Sequence, residues 1–231
     1  MPPRSPATPP RSPATKTTAG TRSITDVLRN SILDGKLLPG ERLVELQLTQ
    51  TYTTSRTAIR AAISDLVKEG LVDHEPNKGA SVRRVAIEEA IQITEVRALL
   101  ESLIAARAAT VATPAHHDEL RDIVAAMRNA VANDQLIDYS ELNSVLHRRL
   151  REISGHEVAG DLVSLLRNRA AHHNYRLALV PGRPGESLPQ HEAIVAAVCA
   201  SDATAAEAAM RAHLDSVAAV LRRWVAAGAR N

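Results

Sequence analysis

Apolar residues between Ser23 and Val85 recur first at helical spacing and then in short β-prone runs. Ile24, Val27, Leu28, Ile32 and Leu33 form one stripe that ends at Gly35, with Ser23 and Asp26 as a capping pair at its start. The turn from Leu38 to Leu43 leads to a short helix from about Val44 to Tyr52. Thr54 or Ser55 then caps a third helix, whose Ile59, Ala62, Ile63, Leu66 and Val67 face a core and whose stop is Gly70. Leu71 to His74 and Ser81 to Val85 flank a Pro-Asn-Lys-Gly turn and predict a hairpin. Three helices followed by a hairpin is the order of a winged helix.

The opposite face of the third helix is polar. Arg56 and Arg60 stand four apart beside Thr57, so they share that face near the helix N-terminus. Such a helix suits insertion into a DNA major groove, with Lys78 and Gly79 at the hairpin tip reaching phosphate or a neighbouring groove. A surface helix carrying two solvated arginines is the alternative reading.

From Ile87 onward the pattern is helical throughout, with segments near 87–111, 115–133, 138–153, 157–178, 186–201 and 203–227. Pro114, Gly155, the Pro181–Gly185 run and Asp202 mark the breaks. The expected fold class is mostly α: a winged helix-turn-helix at 23–85, then an all-helical antiparallel bundle at 86–228. Residues 1–22 contain the heptapeptide PPRSPAT twice and predict a disordered tail, either a basic arm or an inert extension.

Composition narrows the picture. Hydrophobic residues make up 45% of the 231 positions, yet Phe is absent and Trp occurs once, so the core must be built from Ala, Leu, Val and Ile. Residues 1–84 carry 13 Lys and Arg against 8 Asp and Glu, whereas residues 85–231 carry 15 against 18. A basic front joined to a slightly acidic rear fits a nucleic-acid-binding module attached to a second function. The single cysteine, Cys199, excludes an intrachain disulfide and a thiolate metal cluster. With no apolar run long enough for a membrane span and no signal core, a cytoplasmic location is expected.

Of nine histidines, His74, His116, His117 and His156 fall in turns or at helix ends, where solvated rings are expected. His172 and His173 are adjacent, so at most one can face a site. His147, His191 and His213 sit among apolar neighbours in three different helices, and Asn143 shares the face of His147. On the residues alone these could be hydrogen-bonded core histidines or could surround one cation. Arg97 could grip an anion through its planar fork, or simply bridge Glu101 on the surface. No carboxylate stands in an evident general-base position beside the histidines, which disfavours an enzyme such as a metal-dependent hydrolase.

The segments Gly35–Leu43, Ser55–Arg60, Leu66–Val72 and Lys78–Val82 resemble the N-terminal domain of GntR-family transcription regulators. Ala58, Ala61 and Leu46 depart from residues common there (Pro, Glu and, in some members, Arg). Residues 87–225, through Glu95–Glu101 and the later histidines, resemble the FCD effector domain of the FadR-like branch. That resemblance implies a divalent metal held by Asn143, His147, His191 and His213, with Asn143 replacing the usual Asp. Three imidazoles favour Zn²⁺ or Ni²⁺, and the neutral amide weakens the site. The implied protein is a homodimer bound to an inverted-repeat operator through Ser55, Arg56, Thr57, Arg60, Lys78 and Gly79. It would be released when a small carboxylate binds at the metal and Arg97. An alternative makes the cation itself the signal.

Overall fold

In a computed structural model of the protein, residues 23–178 and 180–228 are described. The repeated PPRSPAT tail lies outside them.

The front unit follows the sequence pattern closely. Helix α1 (Ile24–Leu33) begins where the Ser23 hydroxyl accepts the Asp26 N–H at 3.1 Å. Its Leu28 and Ile32 pack on Ile59, Ile63 and Leu66 of α3 (Arg56–Lys68), with α2 (Glu45–Thr51) contributing Leu48. Val67, expected in that stripe, is 36% exposed, because it lies just outside the packed arc. Strands β1 (Val72–Glu75) and β2 (Gly79–Val82) pair antiparallel with Val72 opposite Val82. Asn77 and Gly79, at φ 65° and 83°, turn the hairpin. Gly40 is glycine because its φ is +82°, a left-handed conformation that L side chains rarely adopt. That turn lets residues 40–43 run beside β2, with the Leu43 N–H on the Ala80 carbonyl at 2.9 Å.

The rear unit is a bundle of α4 (Ile87–Val111), α5 (Pro114–Ala132), α6 (Leu136–Ser154), α7 (Glu157–Arg169), α8 (Ala171–Ala178), α9 (Arg183–Cys199) and α10 (Ala203–Ala226). Its centre is Ala-rich, as the missing phenylalanines require. Ala98, Ala105, Ala108 and Ala109 of α4 and Ala206 of α10 are buried with Leu120, Met127, Leu146, Ile194 and Leu214.

Two boundaries differ from expectation. The segment expected as one helix over 157–178 breaks at Ala170, φ −91° and ψ 15°. No Gly or Pro announces this break, because its cause is tertiary: Ala171 is buried in the core of the front unit. The Asn174 side chain donates to the freed Arg167 carbonyl at 3.1 Å. Helix α9 starts inside the Pro-Gly run, three residues earlier than expected, with Pro184 in its first turn where no N–H is needed.

Candidate functional site

The N-terminal turn of α3 presents its polar face to solvent. The Ser55 hydroxyl accepts the Ala58 N–H at 3.1 Å and fixes the start of the helix. Arg56, Thr57 and Arg60 are exposed, while Ile59, Ala62, Ile63 and Leu66 are buried behind them. The Arg60 guanidinium meets both Glu45 oxygens at 3.2 and 3.1 Å, which lowers the Glu45 carboxyl from its usual range. At the wing, Lys78 pairs with Glu75 at 2.7 Å. Arg42 donates to the Lys78 carbonyl and adds a basic group that sequence reasoning missed. It shares a groove with Arg60, His74 and Gly79, so α3 and the wing frame one basic surface.

The three core histidines converge. His147 of α6, His191 of α9 and His213 of α10 are buried, and one ligand nitrogen from each lies within 4.8 Å of the others. Each ring is anchored through Nδ1. His147 meets a Glu101 oxygen at 2.6 Å, His213 meets the Gln190 amide oxygen at 2.9 Å, and His191 meets the Tyr139 hydroxyl at 3.0 Å. Tyr139 is held in turn by Ser187 at 2.6 Å. With Nδ1–H of His147 donating to Glu101 and Nδ1–H of His213 donating to Gln190, both rings carry their lone pairs on Nε2. Burial holds the His191 and His213 rings well below the usual imidazole range, and lowers His147 despite Glu101. Neutral rings with aimed lone pairs are what a metal requires.

Two buried polar atoms at this cluster have no hydrogen-bond partner among the described residues: His191 Nε2 and Asn143 Oδ1. Leaving such atoms unmet costs about 1–3 kcal/mol each, and a cation among the four side chains would satisfy both. The donor set therefore fits a divalent metal with Asn143 as a neutral fourth ligand.

Beside the histidines lies a cavity of about 330 Å³. Arg97 lines it, 5% exposed, and makes two 2.8 Å contacts with one Glu101 oxygen. The two readings of Arg97 thus merge, since it pairs with Glu101 but inside the protein rather than on its surface. Although burial opposes ionisation of Glu101, Arg97 and His147 hold its carboxyl well below the ordinary range. Sequence reasoning missed Arg151, Arg167 and Arg183, which also line the cavity. Arg151 follows Asn143 and His147 at successive four-residue steps, a signal that was available. Arg167 and Arg183 had no comparable spacing.

Three of the remaining histidines make structural contacts. His116 and His156 cap α5 and α7 through Nδ1. His173 places Nε2 2.8 Å from the Val85 carbonyl. His117, expected to be solvated, is half-buried with Nε2 unpartnered among the described residues, because the first turn of α5 packs inward there.

The cavity also reaches the front unit through Leu33 of α1 and through Asn168 and Ala171 at the α7–α8 joint. The Asn168 amide donates to the Glu69 carbonyl at the C-cap of α3, and the Glu69 carboxylate takes two 2.7 Å bonds from Arg29 of α1.

Comparison with known proteins agrees with both halves. Residues 21–82 match the family model for bacterial regulatory proteins of the gntR family, and residues 92–216 match the FCD domain. The chain is 27% identical over 202 residues to the HTH-type transcriptional repressor RspR of Escherichia coli, covering 87% of this chain and 89% of that one. It is 29% identical over 211 residues to the HTH-type transcriptional regulator LutR of Bacillus subtilis, covering 82% and 95%. Among solved structures, E. coli McbR/YncC superposes with a TM-score of 0.76 at 21% identity, over 87% of this chain and 96% of that one. These relatives are transcription regulators rather than enzymes, and no described helix is long and apolar enough to cross a membrane. A winged helix with its polar face outward, joined to a helical bundle that closes on a histidine cluster, makes this chain a member of the GntR family of transcription regulators, with an FCD domain as its effector-binding half.

Proposed function

We propose that the protein is a cytoplasmic, homodimeric repressor that leaves an inverted-repeat operator when a small organic acid binds beside a divalent metal. In this reading residues 23–85 bind DNA and residues 86–228 bind effector and partner, and Arg56, Thr57, Arg60, Lys78 and Gly79 touch the operator, with Ser55 at the helix start. The observation that carries the effector half is the histidine cluster opening into an arginine-lined cavity.

Asn143, His147, His191 and His213 would hold Zn²⁺ or Ni²⁺, which when bound supplies an electron-pair acceptor for a carboxylate oxygen. The protein's own share is to aim the rings through Glu101, Tyr139 and Gln190 and to offer Arg97 as a second grip. Asn168 and Leu33 border the same cavity, so a ligand there presses on groups that position α3 and α1.

Dimerisation is supported by Val96, Leu99 and Leu103, which form an apolar stripe along α4 at 47%, 55% and 46% exposure. Two copies joined there would present two α3 helices to successive major-groove faces.

The neutral Asn143 oxygen favours a second reading, in which a weakly held cation is itself the signal. Metal analysis of the purified protein, with operator binding measured against Zn²⁺ or Ni²⁺ and then against organic acids, tests both. Release by acid supports the first reading and release by metal alone the second. If neither affects DNA, both fail.

A further inference from the structure

The charge lining the cavity is one-sided. Arg97, Arg148, Arg151, Arg167 and Arg183 border it, and no Asp or Glu is among its described lining residues. Three of these arginines have acidic partners. Arg97 is paired with buried Glu101, Arg183 with the exposed Glu186 at 3.3 Å, and Arg148 lies 3.8 Å from Glu152 on the outer surface. Arg151 and Arg167 form no ion pair among the described residues, and Arg151 Nη1 is buried without any hydrogen-bond partner.

Arg151 and Arg167 come from different helices, α6 and α7, and both feel the Glu101 carboxylate that Arg97 of α4 already pairs, with Glu152 adding a weaker negative contribution at Arg151. Three guanidiniums crowd one buried carboxylate, and two of them have no ion partner among the described residues. Burial and the neighbouring guanidiniums push Arg167 down to about 10 and lower Arg151. Positive charge crowded in this way is electrostatically unfavourable, and a ligand that brings more than one negative charge relieves it.

We infer that the cavity selects a compact dianion, with two acidic groups on a short polar skeleton, over a monocarboxylate of the same size. One acidic group meets Arg97 on the histidine side, and the other meets Arg151 and Arg167. Ser140, Ser144 and Asn174 on the wall offer hydrogen bonds to hydroxyls between the two ends. The volume lies at the small end of ligand pockets, which suits a compact ligand. The inference rests on the effector reading above and adds the charge of the ligand to it.

The test is calorimetric titration of the full-length protein with butyrate, succinate, malate and glycerol 3-phosphate, repeated on Arg151→Gln and Arg167→Gln. Dianions are expected to bind at least roughly tenfold tighter than butyrate, the effect of one charge-assisted hydrogen bond. Each variant should shrink that ratio to about threefold or less. Tighter binding of the dicarboxylates identifies paired carboxylates, and tighter binding of glycerol 3-phosphate identifies a phosphate end. Equal affinity for butyrate and succinate overturns the dianion inference but leaves the effector reading intact. Binding of no anion at all overturns both. The wild-type series decides the matter even where a variant fails to fold.

Discussion

The Asn168 side-chain amide donates to the Glu69 carbonyl at 3.1 Å, joining the wall of the cavity beside the histidines to the C-cap of α3. This is a contact between residues 99 apart in sequence, and it bridges the two halves of the chain. Replacing Asn168 with Ala should remove a neutral hydrogen bond worth about 1 kcal/mol and leave the fold in place. Operator affinity without ligand should change by no more than about fivefold, whereas release by effector should be largely lost. Fluorescence anisotropy with operator DNA, with and without a dicarboxylate, checks this. A full ligand response in the variant would exclude Asn168 from the coupling.

Arg56→Ala with Arg60→Ala should abolish operator retention while the melting temperature barely moves, because both side chains are exposed. Each arginine is expected to contribute at least roughly tenfold in operator affinity. Gel shift at fixed salt, paired with thermal melting, separates lost contacts from lost fold. Retention at wild-type strength would remove α3 from the interface.

Stripping metal with 1,10-phenanthroline should lower thermal stability, by about 3 kcal/mol where free metal had stood at a hundred times its dissociation constant. Asn143→Asp should tighten metal binding, since it adds a negative charge where the neutral amide oxygen now sits unpartnered. Competition with a zinc indicator measures both effects, and an unchanged affinity in the Asp variant would place Asn143 outside the ligand set.

Leu99→Glu with Leu103→Glu should convert a dimer to monomers in light-scattering chromatography, because two charges would fall in the middle of the exposed α4 stripe. Operator affinity should fall with it, as half-sites are then bound singly. An unaltered dimer would move the interface to another face.

Gly70→Ala should cost about 1–3 kcal/mol in urea unfolding. Gly70 has φ +76°, and its added Cβ would meet Leu165 Cδ1 at 2.9 Å and Arg169 Cγ at 3.1 Å, both on α7. A neutral effect would mean that α7 yields there at little cost.

Local chemistry explains what was legible before the structure. Ser23, Ser55 and Gly70 act through neighbours three or four residues away, so caps, stops and the polar face of α3 can be read from spacing alone. The histidines could be chosen because each interrupted an apolar helical face. Their anchors could not: Glu101, Tyr139 and Gln190 lie 46, 52 and 23 residues from the rings they hold, and only packing brings them together. The same holds for the break at Ala170, where the chain bends to bury Ala171 in a distant core rather than at any local breaker.

Glu101 divides one negative charge between Arg97 on the cavity side and His147 of the histidine cluster. An acid that takes over the donors of Arg97 returns that charge to His147 and makes its ring a stronger base. Cation and effector are then thermodynamically reciprocal: whatever factor the acid adds to metal affinity, the metal must add to acid affinity. Under the proposed function, one buried glutamate would tie the response to the acid to the presence of the cation.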